Sequence, residues 1–394
     1  MKENRAFILF SLILFIAIFT IENINQRFWL NDFKVYYSAA EALRNGGTVY
    51  GQSFGLSTGF YKYSPFILLC FIPSTLFTFA IAGSIHFFLI GLWLVLSLLM
   101  LQSIFKQNNV IFQNYRGNLI MSLSLICILN HLVRELHLGN VNMLIVFLLC
   151  ACLYFDFKNK TALSGLSFAL ALLIKPYLIV IALPMVLHKK YKTLAICALF
   201  CAAAFIIFTF IYGINFSTHL HLDWLKAMMD HSGYLQSAHT IPAILNTWGI
   251  HFIQQSQQLY LLLFVLIIYV LFYLFSNPSI QAEPNNRNLA ISIFALLAFL
   301  PNILITDTEH FLFALPVIFF LISQLFALKR KILNGIFIII VFVYGANSSD
   351  LLGNNLSAYF EKWGFLGIAN MSLLILLIYI HKFEKQNNAR HAIF

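Results

Sequence analysis

Charged side chains are scarce in this sequence. Asp, Glu, Lys and Arg together make up 10% of the 394 residues, whereas hydrophobic residues make up 61%. So few charged groups cannot cover the surface of a soluble globule of this size. The apolar runs repeatedly approach the roughly 20 residues that are needed to cross a bilayer. The composition therefore excludes an ordinary soluble protein and predicts an all-α polytopic membrane protein.

Several signatures of soluble enzymes are also absent. The sequence has no G-x-x-x-x-G-K-[ST] phosphate-binding loop and no G-x-G-x-x-G motif, and no polar segment is long enough for a nucleotide-binding domain. This disfavours ATP, NAD and nucleotide sugars as substrates. The six cysteines all lie in apolar runs without metal-ligand spacing, so neither a disulfide framework nor a zinc site is indicated.

The basic residues indicate topology rather than a nucleic-acid partner. The formal net charge of +10 comes from Lys and Arg that lie singly or in short clusters between apolar runs. This distribution is typical of the positive-inside rule of membrane proteins. The sequence predicts spans near residues 6–21, 83–105, 117–133, 139–155, 161–187, 193–213, 259–275, 289–305, 311–327, 332–346 and 364–380.

Two conditions place all the basic clusters on the cytoplasmic side. The proline-containing run 65–80 must not cross the membrane, and 161–187 must turn as two short helices at Lys175 and Pro176. We therefore expect a multi-pass protein of the inner (plasma) membrane with both termini in the cytoplasm. Five polar segments are then predicted to open on the extracytoplasmic side, namely 22–64, 134–142, the turn at residue 175, 215–258 and 306–310.

Asp32 is the first candidate for chemistry among these outer segments. It begins an amphipathic pattern that runs to about Asn45 and ends at Gly46 and Gly47, where a helix would stop. An acid at this place can act as a base on a substrate. The structural alternative, that Asp32 or Asn31 only caps the helix, is equally open from position alone.

Lys175 is the second candidate. An ammonium inside a 27-residue apolar stretch costs about 2.5 to 3.5 kcal/mol on insertion scales unless it is paired or hydrated, so its expected partner is an anion. Arg134 and His137 are three residues apart and can share a helix face that grips a phosphate. For all three side chains the alternative is that they only reach for the membrane interface.

Two further groups are weaker candidates. Asp307, Glu309 and His310 form an acidic and imidazole cluster that can bind substrate or a metal, although helix capping explains the acids as well. No metal or other cofactor is indicated, and a divalent metal stays open. Tyrosines of the first outer segment can stack on a sugar, although an interfacial belt is favoured for them, namely Tyr36, Tyr37, Tyr61 and Tyr63.

Four ordered segments carry a resemblance to a known family. They are "NDFKVYYSAAEALRNGGTVYG", "YKYSPFILLCFIPSTLF", "GNVNMLIVFLL" and "GLSFALALLIKPYLIVIALPMVLHKK". Together they resemble the signature of the polyprenyl-phosphate-sugar glycosyltransferases of family 87, over roughly the first half of the chain. Two departures are mild: Ser64 precedes Pro65 where the family has a proline, and Asn140 follows Gly139 where glutamine is common.

The resemblance implies a C-type membrane glycosyltransferase fold with about eleven to thirteen transmembrane helices and interfacial helices in the first outer loop. It implies one integral membrane domain over 1–394, in which 1–213 is family-like and 214–394 is divergent. It also implies inverting transfer of a sugar, with mannose favoured, from a polyprenyl-phosphate donor to a lipid or glycan acceptor outside the cytoplasm. Membrane lipids surround this reaction, and no nucleic acid takes part.

Residue roles follow from the same resemblance. Asp32 is expected to be the general base, and Lys175, assisted by Arg134, is expected to bind the donor phosphate. Further substrate contacts are expected from His137, Asn140, Tyr36, Tyr63, His310 and Glu309. Two other functions stay open: a secondary transporter of an anionic or lipid-linked substrate, and a non-catalytic protein of envelope assembly.

Overall fold

The computed structural model describes residues 4–55, 59–106, 114–230, 238–249, 286–304, 307–346 and 348–391. Within these ranges the chain is built from helices, and the only β pairing is an isolated bridge between Ser53 and Phe60. The prediction of an all-α polytopic membrane protein is confirmed.

The first eleven helices cover the described part of the chain up to residue 230. They are α1 (Arg5–Ile24), α2 (Asn31–Arg44), α3 (Pro65–Phe71), α4 (Phe79–Lys106), α5 (Asn114–Cys127), α6 (Leu129–Leu138), α7 (Asn142–Phe157), α8 (Thr161–Ile174), α9 (Ala182–Leu187), α10 (Tyr191–Tyr212) and α11 (Ile214–Asp230). Two 3₁₀ segments join them: Ile72–Leu76 continues α3, and Pro176–Ile181 leads into α9.

Six further helices follow among the described residues. They are α12 (Ile241–Thr247), α13 (Asn286–Ile303), α14 (Leu315–Leu328), α15 (Lys331–Gly345), α16 (Ser349–Lys362) and α17 (Phe365–His391). The 3₁₀ segment Thr308–Ala314 precedes α14. A kink at Gly353, which has φ of 71°, bends α16.

The described part of the chain contains fewer long spans than the whole sequence predicts. Among the described residues six helices are long and apolar enough to cross a membrane, or seven if α5 and α6, bent by 64°, form one span. Five further apolar segments have only 10–17 residues, because prolines and polar turns interrupt them. The predicted span 259–275 lies outside the described residues.

The predicted break at Lys175 is confirmed. Helix α8 ends at Ile174, Lys175 is extended with φ of −133° and ψ of 93°, and Pro176 begins the 3₁₀ segment. The cause is local, since proline lacks an N–H and disfavours helical geometry in the residue before it. The run 65–80 is also broken, into the seven-residue α3 and a 3₁₀ segment that contains Pro73.

The predicted span 117–133 contains a bend. Helix α5 ends at Cys127, α6 continues to Leu138, and the two are bent by 64°. That 134–142 opens on the extracytoplasmic side stays a prediction. Apolar residues at helical spacing, Leu129, Leu132 and Leu136, sustain the helix and bury one face of it. As a result, the connection between α6 and α7 is reduced to a short turn.

The described residues form two compact units. The first contains the described residues up to Ile104 and those within Gln113–Ser122 and Leu132–Tyr234. Its centre is the packing of α8 against α7 and α10, where Gly165 is needed because a Cβ would lie 2.6 Å from Ile196 Cγ2. An ion pair of 2.7 Å between Lys190 and Asp156 joins α7 to the start of α10.

The second unit contains the remaining described residues, including α13 to α17. Buried amides hold its helices together: Asn370 Nδ2 donates to Asn302 Oδ1 at 2.6 Å, and Asn302 Nδ2 donates to Gly367 O at 2.9 Å. The predicted division at 213/214 falls inside the first unit, next to α11. The description as one integral membrane domain stays a prediction.

Candidate functional site

The start of α2 is fixed by backbone contacts rather than by a side-chain cap. Leu30 occupies the cap position with φ of 48° and ψ of 43°, and no side chain caps the helix there. Leu30 N–H donates to His137 O at 2.9 Å, which ties α2 to the end of α6. Asn31 and Asp32 are the first two helical residues. Neither of them occupies the cap position itself.

Gly139 lets the two helices approach closely. It has φ of 66°, and a Cβ at this position would lie 2.8 Å from Phe33 Cβ. Its carbonyl oxygen lies 3.0 Å from His86 Nε2, and the His86 ring stacks on Phe33 with 4.6 Å between centroids. Only glycine combines this backbone conformation with so little space.

Asp32 is held by Asn140, directly after this glycine. Asn140 Nδ2 donates to Asp32 Oδ2 at 2.6 Å. The Val141 N–H donates to Asn140 Oδ1 at 2.7 Å, and this contact settles which end of the amide is the oxygen. Tyr36 OH also donates to Asn140 Oδ1, at 3.3 Å. The carboxylate of Asp32 is thus oriented from outside its own helix.

Two predicted tyrosines lie beside this pair. The hydroxyl groups of Tyr36 and Tyr63 are 2.8 Å apart, and both residues are buried. Tyr50 OH donates to Tyr63 O at 2.6 Å. Burial raises the pKa of the Tyr36 and Tyr63 hydroxyls well above the usual range, so both stay protonated at neutral pH. Because Tyr36, Tyr61 and Tyr63 face the protein interior, the interfacial-belt interpretation is wrong for them.

Lys175 lies in a second hydrogen-bonded group. Its Nζ donates to Asn142 Oδ1 at 2.5 Å, and only 6% of the residue is exposed. Asn142 Nδ2 donates to Glu135 Oε2, and Met143 N–H donates to Glu135 Oε1, both at 2.9 Å. The ammonium is therefore directed into the protein, and the alternative that Lys175 only reaches for the membrane interface is wrong.

The turn between α6 and α7 joins the two groups. Asn140 contacts Asp32, and Asn142, two residues further on, contacts Lys175. Residues two apart on a chain have Cα atoms separated by no more than about 7 Å. The structure thus brings the two main predicted residues, Asp32 and Lys175, to one short turn.

Two predicted residues of α6 are placed differently. Arg134 is exposed, whereas the next residue, Glu135, is fully buried. His137 Nδ1 lies 2.8 Å from Glu22 Oε2, and its ring is 4.5 Å from that of Trp29. The phosphate-binding role of Arg134 and the substrate role of His137 stay predictions.

The acidic cluster at residues 307–310 belongs to the second unit. Glu309 is buried, and His310 Nδ1 lies 4.0 Å from Glu309 Oε1, while Asp307 is exposed. In the part of the chain that the structure describes, no three His, Cys, Asp or Glu side chains are grouped so that they could hold a metal ion. Contacts of Glu309 and His310 with a substrate stay predictions.

An apolar cavity of about 370 Å³ adjoins the polar groups of the first unit. Its lining includes Tyr63, whose hydroxyl contacts Tyr36, and Val141, whose N–H contacts Asn140. Aromatic and aliphatic side chains form most of the rest, among them Phe33, Phe71, Phe77, Trp93, Leu148 and Leu170. The cavity suits an apolar ligand.

Sequence reasoning missed Glu135 and Asn142. The signal for Glu135 was present, because Leu132, Glu135 and Leu136 lie at helical spacing on one face of α6. A carboxylate on the apolar face of a helix requires a buried partner. Asn142 had no comparable signal, since its role depends on Lys175, 33 residues away in the chain.

Comparison with known proteins identifies one family. Residues 60–301, more than half of the chain, match the model of Glycosyltransferase family 87. No curated protein matches the chain. The matched range includes Glu135, Asn140, Asn142 and Lys175, whereas Asp32 precedes it, so the place of Asp32 in the site depends on its contact with Asn140.

Proposed function

The chain belongs to glycosyltransferase family 87, and on that basis we propose that it moves a sugar from a polyprenyl phosphate to a hydroxyl group of a lipid or glycan acceptor. Mannose is the first sugar to test. The reaction takes place on the extracytoplasmic side of the inner (plasma) membrane. Family membership makes the chain an enzyme, so the transporter and assembly-protein hypotheses are set aside.

The observation that carries the proposal is the turn that holds both Asp32 and Lys175. Asp32 is the general base: it removes the proton from the acceptor hydroxyl while the oxygen attacks the anomeric carbon. The bond from that carbon to the phosphate oxygen breaks, and its electron pair leaves with the polyprenyl phosphate. One displacement inverts the configuration, and a phosphate leaving group needs no general acid. A single carboxylate is therefore sufficient, unlike the pair in a glycosidase.

Lys175 supports the departure of the phosphate. Negative charge on the leaving oxygen grows during the reaction, and a buried ammonium stabilises such charge more strongly than an exposed one. Asn142 holds the Lys175 Nζ at 2.5 Å, so the cation is oriented before the donor arrives. Arg134, at the exposed side of α6, is proposed as a second cation for the donor headgroup.

The apolar cavity supports a lipid-linked donor. Its lining is almost wholly aliphatic and aromatic, which favours an isoprenoid chain over a nucleotide. Tyr36 and Tyr63, which stay protonated, are placed between this cavity and Asn140 and can donate to sugar hydroxyls. His137, His310 and Glu309 are proposed as further contacts of the sugar or the acceptor.

A transfer assay tests this function. Membranes that contain the protein, and matched membranes that lack it, are incubated with polyprenyl phosphate carrying radiolabelled mannose. We expect label in the lipid or glycan acceptor fraction only when the protein is present. The same assay with a labelled nucleotide sugar is expected to give no transfer when synthesis of the lipid donor is blocked. Transfer from the nucleotide sugar while synthesis of the lipid donor is blocked contradicts the proposal. Absence of transfer from the lipid-linked donor contradicts it as well.

A further inference from the structure

Glu135 is a buried acid to which the proposed reaction assigns no role. It lies on the inner face of α6 and is fully buried. Removing a carboxylate from water costs several kcal/mol unless its oxygens find hydrogen-bond donors. Both oxygens do so here: Oε1 accepts from Met143 N–H and Oε2 accepts from Asn142 Nδ2.

The partners of Glu135 begin α7. Asn142 is the first residue of this helix and Met143 the second, and no side chain of the cap residue Val141 satisfies the helix start. Glu135 therefore replaces a cap from a neighbouring helix, and its negative charge complements the positive end of the α7 dipole. These contacts fix the position of the Asn142 side chain.

The chemistry of the two neighbours also fixes which way the Asn142 amide points. A carboxylate only accepts hydrogen bonds and an ammonium only donates them. Asn142 must then turn Nδ2 toward Glu135 and Oδ1 toward Lys175, as the structure has it. Without Glu135 the amide loses the acceptor that holds its Nδ2 end, and only Lys175 still favours this orientation.

We infer that Glu135 is a positioning residue that acts through the Asn142 amide to hold the Lys175 ammonium where it meets the donor phosphate. The inference rests on the proposed role of Lys175. It assigns to Glu135 an effect that acts through Lys175 alone, because Glu135 itself contacts neither substrate nor Asp32 in the proposed mechanism.

Inhibition by farnesyl phosphate tests the inference. This compound carries the phosphate and a short isoprenoid chain, and farnesol serves as the matched compound without phosphate. In Glu135→Gln an NH₂ group replaces one of the two oxygens. It then faces the N–H group of Asn142 or of Met143 and cannot accept a hydrogen bond from it. We expect the inhibition constant of farnesyl phosphate to rise about tenfold, as for loss of a charge-assisted hydrogen bond, and that of farnesol to stay within twofold. The donor KM rises in parallel, and kcat changes less.

Asp156→Asn is the matched control. Asp156 is also a buried acid of the first unit, paired with Lys190 and Thr193, but it lies at the other end of α7, about 21 Å from Asn142. This variant removes a comparable buried charge without reaching Lys175. We expect it to lower the thermal unfolding midpoint and to leave both inhibition constants unchanged.

A double variant provides a rescue. In E135Q/N142D the amide and the carboxylate exchange places, so the new amide can donate to the new carboxylate and still accept from Met143 N–H, while Lys175 keeps an acceptor. We expect farnesyl phosphate to bind more tightly than to E135Q. If E135Q does not fold, Asn142→Ala is measured in its place. This variant removes the amide between Glu135 and Lys175 but keeps the hydrogen bond from Met143 N–H to Glu135. The same tenfold weakening of farnesyl phosphate inhibition is expected.

The outcomes separate this inference from the proposed function. Lys175→Met is measured alongside, and if it leaves farnesyl phosphate inhibition unchanged, the phosphate role of Lys175 fails, and the inference with it. If Lys175→Met weakens inhibition but folded E135Q does not, only the inference fails. If E135Q weakens inhibition by farnesol and by farnesyl phosphate equally, the inference also fails, since the substitution would then have changed the cavity in general.

Discussion

At the scale of single residues, the two asparagines of the turn after α6 have separate functions. Asn140 donates to the acid and Asn142 accepts from the cation, and in each case a second contact settles the orientation of the amide. An amide suits both places because it donates at one end and accepts at the other. The turn therefore holds a base and a cation close together.

The first prediction concerns Asn140. In Asn140→Ala the Asp32 carboxylate loses the donor at 2.6 Å that orients it. We expect kcat to fall about tenfold to a hundredfold and the free energy of unfolding to fall by about 1.5 to 3 kcal/mol, since one charge-assisted hydrogen bond is lost. The measurement is turnover with lipid-linked donor in detergent. Asn45→Ala, at the exposed end of α2, is the control and should keep wild-type turnover. If Asn140→Ala has the same turnover as this control, Asn140 does not orient Asp32.

A second prediction concerns Lys175. Lys175→Met keeps most of the apolar stem and removes the charge, so the donor phosphate loses a partner both before and during departure. We expect the donor KM to rise and kcat to fall about a hundredfold or more. Lys192→Met, at an exposed position at the start of α10, is the control. If purified Lys175→Met has wild-type constants and only a lower yield, the residue has a structural role alone.

At the scale of helices, local sequence signals predicted the breaks correctly. Pro176 predicted the end of α8 at Lys175, and the change from apolar to polar residues predicted α2. The sequence allowed a helix face with Arg134 and His137 but did not predict the bend between α5 and α6. The burial of Leu132, Glu135 and Leu136 shows which face of α6 is inside.

The site itself was only partly predictable. Asp32 and Lys175 were both proposed from their unusual polarity in apolar surroundings. Their common turn was not, because Asn140 Nδ2 reaches Asp32 across 108 positions of the chain and no periodicity encodes such a contact. The same holds for Tyr36 and Tyr63, whose hydroxyl pair is invisible until the first outer segment is folded.

The third prediction concerns the contact between α2 and the end of α6. In Gly139→Ala the new methyl group would lie 2.8 Å from Phe33 Cβ and the backbone would keep a conformation that alanine resists. We expect α2 to move away from the turn, with loss of most turnover and of about 2 to 3 kcal/mol of stability.

Gly46→Ala is the control for that variant. Gly46 follows the same helix with φ of 73°, but nothing lies within 4 Å of a Cβ there. It shares the conformational cost of about 1 to 2 kcal/mol without the clash. Turnover should therefore survive in Gly46→Ala. If thermal unfolding and turnover change equally in the two variants, the close approach of the helices is not needed for the site.

At the scale of the whole molecule, the proposed function requires the site to face away from the cytoplasm. The fourth prediction is that a cysteine in place of Asn45, in a cysteine-free background, reacts with a membrane-impermeant maleimide added outside. A cysteine in place of Lys192 should react only after the membrane is permeabilised, because the basic cluster that contains this position is predicted to lie on the cytoplasmic side. Both positions are exposed. The reverse pattern would overturn the predicted topology.

The most direct test of the central claim is the turnover of Asp32→Asn with the lipid-linked donor. The amide keeps the size of the side chain and can still accept from Asn140, but it cannot take a proton. We expect normal expression and unfolding temperature, with turnover reduced about a hundredfold to ten-thousandfold. Asp223→Asn, an exposed acid of α11 in the same unit, should keep wild-type turnover. Wild-type turnover in folded Asp32→Asn would contradict the assignment of Asp32 as the base.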